Sequence, residues 1–151
     1  MTLSLQEVSD RIEIQDLLVR YTRAIDEKDW GLLDQCFVPD AQLDYRSSGG
    51  IQGAYPEVRG WLEKALAPFP MTVHYITNSE VRLDGDRATA RTAVLNPMGF
   101  GNPDGSLHLF TVGAYYVDEL VRTPEGWRIA SRREDQAFME GTLPEALQIP
   151  S

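Results

Sequence analysis

The chain has 151 residues and a mass of 17.0 kDa, the size of one domain that can bury a core without disulfide or metal staples. Hydrophobic residues make up 42% and charged residues 25%, which excludes a disordered chain. Against 23 Asp and Glu stand 14 Lys and Arg, and the net charge of −9 argues against nucleic acid and anionic membranes as partners, because both are held through Lys and Arg.

Ser4-Leu5-Gln6-Glu7 reads as a capping box that opens a helix, and Ile14, Leu17, Leu18, Tyr21 and Ile25 follow at helical spacing. Asp29 can cap a short second helix carrying Leu32, Leu33 and Phe37, with Pro39 as its stop. Ala41 to Tyr45 reads as a short strand and Ser47-Ser48-Gly49-Gly50 as a turn. A third helix is expected from about Tyr55, with Pro56 in its first turn and Val58, Trp61, Leu62, Ala65 and Leu66 as its apolar stripe, ending at Pro68 and Pro70. The pattern then changes. Met71 to Leu83 reads as one long strand, Asp84-Gly85-Asp86 as a hairpin turn, and Arg87 to Leu95 as the return. Asn96 to Gly105, rich in Gly and Pro, reads as a loop. Leu107 to Val121 and Trp127 to Met139 form a second hairpin about Pro124-Glu125-Gly126, and an irregular tail starts at Gly141. Helices first and antiparallel strands after point to an α+β domain over residues 1–151, with helices on one face of a curved sheet that encloses a cavity.

Several chemistries lack their residues. There is no Gly-rich phosphate loop, dinucleotide fingerprint, H-E-x-x-H or nucleophile elbow. The single Cys36 excludes an internal disulfide and a Cys-rich zinc site, and it falls in a predicted apolar helix as a small buried hydrophobe. Two histidines leave little for an all-His metal site, so neither a metal nor a cofactor is expected. The first residues do not read as a secretory leader and no apolar run approaches the roughly 20 residues a bilayer requires, so a cytoplasmic location is expected.

His74 stands out within Thr72-Val73-His74-Tyr75-Ile76-Thr77-Asn78. Alternation puts Thr72, His74, Ile76 and Asn78 on one face. A neutral imidazole facing a cavity can act as a general base if a carboxylate orients its other nitrogen; the alternative is a core histidine satisfied by one backbone bond. Asp26 is the candidate orienter, although it lies about 100° round the helix from Ile25, at the edge of the apolar stripe, within the charge run Asp26-Glu27-Lys28-Asp29. Tyr21 and Tyr45 carry hydroxyls that can donate to a substrate oxygen, or serve as ordinary amphipathic core residues. Arg132 and Arg133 adjoin in the last strand and point to opposite faces; the inward one needs a carboxylate partner or an anionic group on the ligand. His108, beside a loop, reads as a rim residue.

The stretch Tyr21-Thr22-Arg23-Ala24-Ile25-Asp26-Glu27-Lys28-Asp29-Trp30 resembles the opening of SnoaL-like proteins of the NTF2-like superfamily. Asp44-Tyr45-Arg46-Ser47 is similar to a segment of scytalone dehydratase. The His74 strand is similar to the one that carries a catalytic histidine there, in hexachlorocyclohexane dehydrochlorinase and in bile acid 7α-dehydratase. The ending Pro124-Glu125-Gly126-Trp127-Arg128-Ile129 resembles the final hairpin of the group, and the resemblance runs from about Leu5 to Met139. It implies a cone of three helices on a curved, mostly antiparallel mixed sheet, with a catalytic Asp26–His74 dyad. It further implies that Tyr21 and Tyr45 hold or protonate the substrate and that Arg132 lies in the active site. One departure is visible: Phe110 to Tyr116 contains no second histidine, so the resemblance does not extend to scytalone as substrate.

The expected activity is a cofactor-free, dehydratase-like lyase, with His74 as base and Asp26 as its orienter. Trp30, Phe37, Trp61, Phe69, Met71, Phe110 and Tyr115 are candidate cavity walls, an inventory that suits a small aromatic or alicyclic substrate. The alternatives are a non-catalytic ligand-binding or dimerising module, and an isomerase or cyclase using the same dyad. A half-covered sheet implies a homo-oligomer, either trimer or dimer.

Overall fold

The computed structural model describes residues 2–151. Helix α1 spans Leu5–Glu27 and starts as its sequence dictates: the Ser4 hydroxyl accepts from Glu7 N–H and the Glu7 carboxylate from Ser4 N–H. Helix α2 (Trp30–Asp34) is capped by the Asp29 carboxylate, and α3 (Tyr55–Leu66) begins with Pro56 in its first turn. Among the described residues no helix is long and apolar enough to cross a membrane.

The strands are β1 (Phe37–Asp44), β2 (Gln52–Ala54), β3 (Met71–Thr72), β4 (Tyr75–Asp84), β5 (Arg87–Gly101), β6 (Leu107–Thr123) and β7 (Gly126–Glu140). They form one strongly curled mixed sheet in the order β2-β1-β7-β6-β5-β3, with β4 also on β5. Among the described residues only β1 and β7 pair in parallel. Bulges in the β6–β7 ladder help curl the sheet around the helices, because an extra residue on one strand bends it and increases its twist. The core lies between the helices and the concave face, with Ile14, Leu17, Leu18 and Ile25 of α1 packed near Leu43, Leu120 and Ile129. This is the α+β cone expected from the sequence.

The structure corrects four local expectations. Helix α2 ends at Asp34, before Phe37 and Pro39, which instead lie in β1. Pro39 is tolerated there because the β1–β7 register shifts between Phe37 and Gln42, so no regular ladder bond is lost. Cys36 consequently sits between α2 and β1 rather than in a helix, and its carbonyl accepts from Ile129 N–H at 2.9 Å. The stretch from Asn96 to Gly101 is strand rather than loop, held in register by β6 from Asn96↔Val112 to Gly101↔Leu107. Finally, Met71 to Leu83 is not continuous: β3 stops at Thr72, β4 starts at Tyr75, and a bulge between Ile76 and Ser79 places Ser79, not Asn78, against buried Thr92.

Candidate active site

The break between β3 and β4 builds the centre of the site. Val73 N–H there still donates to Pro97 O on β5, while His74 N–H points away from β5 and donates to Asp26 Oδ2 at 2.8 Å. The imidazole Nδ1 lies 2.6 Å from Asp26 Oδ1, so one carboxylate holds both the backbone and the ring of His74. Asp26 reaches this position from the last turn of α1. The helix ends immediately after it, with Lys28 in the left-handed region at φ +55°, and Lys28 Nζ donates to Phe69 O, tying the helix end to the chain that leads into β3.

The side chain of His74 is 6% exposed and that of Asp26 21%. A carboxylate only accepts, so in the neutral imidazole Nδ1 carries the proton and Nε2 is the acceptor nitrogen. Nε2 has no hydrogen-bond partner among the described residues, and the His74 ring lines a cavity of about 350 Å³. That volume is at the lower end of the range for small-ligand sites, roughly 300–1,000 Å³.

A cluster of phenols forms a second wall. Tyr21 and Tyr45 share a hydroxyl–hydroxyl bond of 3.0 Å, and Tyr116 packs edge-on against Tyr21 at 5.6 Å; all three line the cavity. Burial raises the pKa of each, so these hydroxyls stay neutral and able to donate. Behind them lies Arg132, stacked at 4.1 Å over Tyr21 and 4.0 Å over Tyr116. Its guanidinium pairs with Asp118 on the neighbouring strand at 2.7 and 2.8 Å, with both side chains fully buried. Burial opposes its charge, but the Asp118 carboxylate outweighs that and keeps Arg132 protonated. Arg132 therefore faces inward with a protein carboxylate as partner, and it supports the tyrosines instead of lining the cavity.

Of the other predicted wall residues, Trp61, Phe69 and Phe110 line the cavity. Trp30, Phe37, Met71 and Tyr115 do not, each for a physical reason. Trp30 packs on the core from the short α2. Phe37 stacks on Tyr55 at 4.8 Å in the core. Met71 lies at the sheet edge against Gly99. Tyr115 is on the outer face beneath Arg91, because strand alternation turns Tyr116 inward. His108 is a rim residue whose Nε2 meets Thr142 O at 2.6 Å.

Sequence reasoning missed Tyr116, Asn96 and Glu134, all of which line the cavity. Glu134 was detectable: it shares a strand face with Arg132 two positions earlier, so an inward arginine implies an inward glutamate. The tail folds over the opening of its own chain's cavity. Leu143, Leu147 and Ile149 line it, and Trp61 Nε1 donates to Pro150 O at 2.9 Å. Among the described residues no three His, Cys, Asp or Glu side chains converge as a metal site would require.

Comparisons with known proteins agree with this fold. The model of the SnoaL-like domain matches residues 6–133. Uncharacterized protein Rv2910c of Mycobacterium tuberculosis (strain ATCC 25618 / H37Rv) is 48% identical over 138 residues, 91% of this chain and 92% of its own length. Among solved structures, the Kfla4162 protein from Kribbella flavida is similar with a TM-score of 0.79 and 28% identity, covering 87% of this chain and 93% of that one. Hexachlorocyclohexane dehydrochlorinase LinA-type3 from Novosphingobium barchaimii LL02 is similar with a TM-score of 0.76 over 97% of this chain and 99% of its own. At 20% identity that match speaks for the fold alone.

Proposed function

The chain belongs to the SnoaL-like domain family, and from that premise we propose that it is a cofactor-independent lyase acting on a small aromatic or alicyclic carbonyl compound. His74 Nε2 removes a proton from the carbon next to the carbonyl, and a group leaves from the neighbouring carbon. Asp26 holds the ring in the tautomer that leaves Nε2 free and stabilises the imidazolium once it forms. The hydroxyls of Tyr21 and Tyr45, backed by Arg132, donate to the developing enolate oxygen. The observation that carries this is the 2.6 Å Nδ1–Asp26 contact beside an open apolar cavity. A passive binding module has no use for an imidazole whose second nitrogen is left unpartnered in the cavity.

The test is independent of the leaving group. Wild-type protein in deuterium oxide should exchange the hydrogens next to the carbonyl of benzylacetone, read by proton NMR, and His74→Ala should not. Exchange at an equal rate in both proteins would overturn the assignment of His74.

We also propose a homo-oligomer. Tyr75, Leu95, Gly113 and Phe138 form a register row across β4, β5, β6 and β7 on the outer face. Three of them are large apolar side chains between 40% and 55% exposed, and a row of that kind is covered by a second copy in a stable assembly. A 17.0 kDa species in sedimentation equilibrium at micromolar concentration would refute it.

A further inference from the structure

Glu134 is a carboxyl group inside the same cavity that the base and the tyrosines leave unused. Its position is built. The Ser47 hydroxyl donates to Glu134 O at 2.7 Å and accepts from Gln136 N–H at 3.0 Å, which pins β7 on both sides of the residue. The neighbouring Ser48 hydroxyl donates a short hydrogen bond to Glu134 Oε1, while Oε2 has no hydrogen-bond partner among the described residues. The titratable groups around it are His74, Arg132, Asp135 and the phenols of Tyr21, Tyr45 and Tyr116. Burial raises its pKa against the pull of Ser48, of a protonated His74 and of Arg132. An imidazole and a carboxyl group thus line one apolar cavity, an arrangement that can divide the two proton transfers of an elimination between separate groups.

We propose that Glu134 is the acid that protonates the departing oxygen, so that the substrate is a β-hydroxy carbonyl compound and the product is an enone and water. This rests on His74 being the base. In the step, Nε2 takes the proton next to the carbonyl and the electron pair of that C–H bond forms the carbon–carbon double bond. The bond from the neighbouring carbon to oxygen breaks, and that oxygen takes the Oε2 proton and leaves as water. The imidazolium proton then returns to the Glu134 carboxylate through solvent, and the site is reset with no oxidation or reduction. A carboxylic acid at this place selects an oxygen leaving group: the pKa of water is about 15.7, so hydroxide departs only with a proton, whereas a halide needs none.

The probes are benzylacetone for exchange and the aldol of benzaldehyde and acetone for water loss, followed by absorbance of the enone. Wild type should perform both. In Glu134→Gln, water loss should fall about 10²–10⁴-fold while exchange falls less than tenfold, since one general acid is typically worth that factor. Equal falls, or no fall in water loss, would overturn the role of Glu134. Exchange by wild type without water loss would overturn it too, leaving His74 as base intact. An absence of both reactions would overturn the base assignment and this inference with it. The infrared difference spectrum between wild type and Glu134→Gln at pH 7 decides independently of turnover. A protonated-carboxyl band in the wild type supports the role, and a carboxylate band in its place excludes it.

Discussion

Replacing Asp26 by Asn separates orientation from mere presence of a polar group. Asp26 accepts two hydrogen bonds, from His74 N–H at 2.8 Å and from Nδ1–H at 2.6 Å. An amide has one acceptor oxygen. If it stays with the backbone N–H, its NH₂ faces Nδ1 and forces the ring proton onto Nε2, which abolishes the base. If it flips, NH₂ meets a backbone N–H, donor against donor in a largely buried place. The first arrangement costs less, so the wrong tautomer should dominate. In a serine protease triad that inversion costs about 10⁴ in kcat, and a similar loss is expected here. Losing a hydrogen bond to a charged group costs about 1.5–3 kcal/mol of stability, which lowers Tm by roughly 3–12 °C for a chain of this size. The fold should therefore survive the change that stops the chemistry. Asp26→Ala is the control, because it removes the orienter without imposing a tautomer and should retain more activity than Asp26→Asn. Exchange of benzylacetone and a thermal melt read both properties. Asp26→Asn within tenfold of wild type, or less impaired than Asp26→Ala, would refute the tautomer argument.

Arg132→Ala should cost about 3–5 kcal/mol, because it strands the Asp118 carboxylate in a fully buried place; urea melts measure it. The double variant Arg132→Met with Asp118→Leu should recover much of that stability, since Nη1 of Arg132 already lacks a partner among the described residues, yet it should stay slow in exchange because the tyrosines lose their support. Burial pushes the Cys36 thiol up to about 11, so a disulfide-exchange reagent at pH 8 should label it only as urea unfolds the chain; rapid labelling of the native protein would refute its burial. For stability, the raised pKa of Glu134 has a definite sign: its contribution is complete below the ordinary carboxylate pKa and is lost as pH rises through the folded-state value. The Tm of Glu134→Gln relative to wild type should therefore increase from pH 4 to pH 8; a constant difference would count against the shift.

The elements that were legible in the sequence are those determined by local chemistry. The Ser4 and Glu7 capping box, Pro56 in the first turn of α3 and the two hairpin turns at Gly85 and Gly126, with φ of +59° and +109°, satisfy themselves within a few residues. The errors lie where pairing overrides composition. Asn96 to Gly101 has the residues of a loop, but β6 supplies a full ladder on one side and Gly99 allows close packing of Leu107 and Met71. The wall residues Trp30, Phe37, Met71 and Tyr115 were chosen for their apolar bulk, and bulk does not say which face of a strand or which side of a helix a residue occupies. Strand parity would have separated Tyr115 from Tyr116 and found Glu134 from Arg132.

Asp26 shows why the centre of a site can be invisible to periodicity. Its angle places it at the edge of the α1 stripe, and in the structure it is indeed partly exposed there. What turns an edge residue into the partner of His74 is the place of His74 itself, at the junction of β3 and β4 on the outer side of the sheet. Val73 N–H still donates to Pro97 O on β5 at 3.0 Å, so strand alternation directs His74 N–H to the other side, the free edge of the sheet. On that edge one N–H and one ring nitrogen both need an acceptor, and the carboxylate at the end of α1 serves both. The origin of the proposed chemistry thus lies in the place of His74 on the sheet's edge as much as in the two side chains.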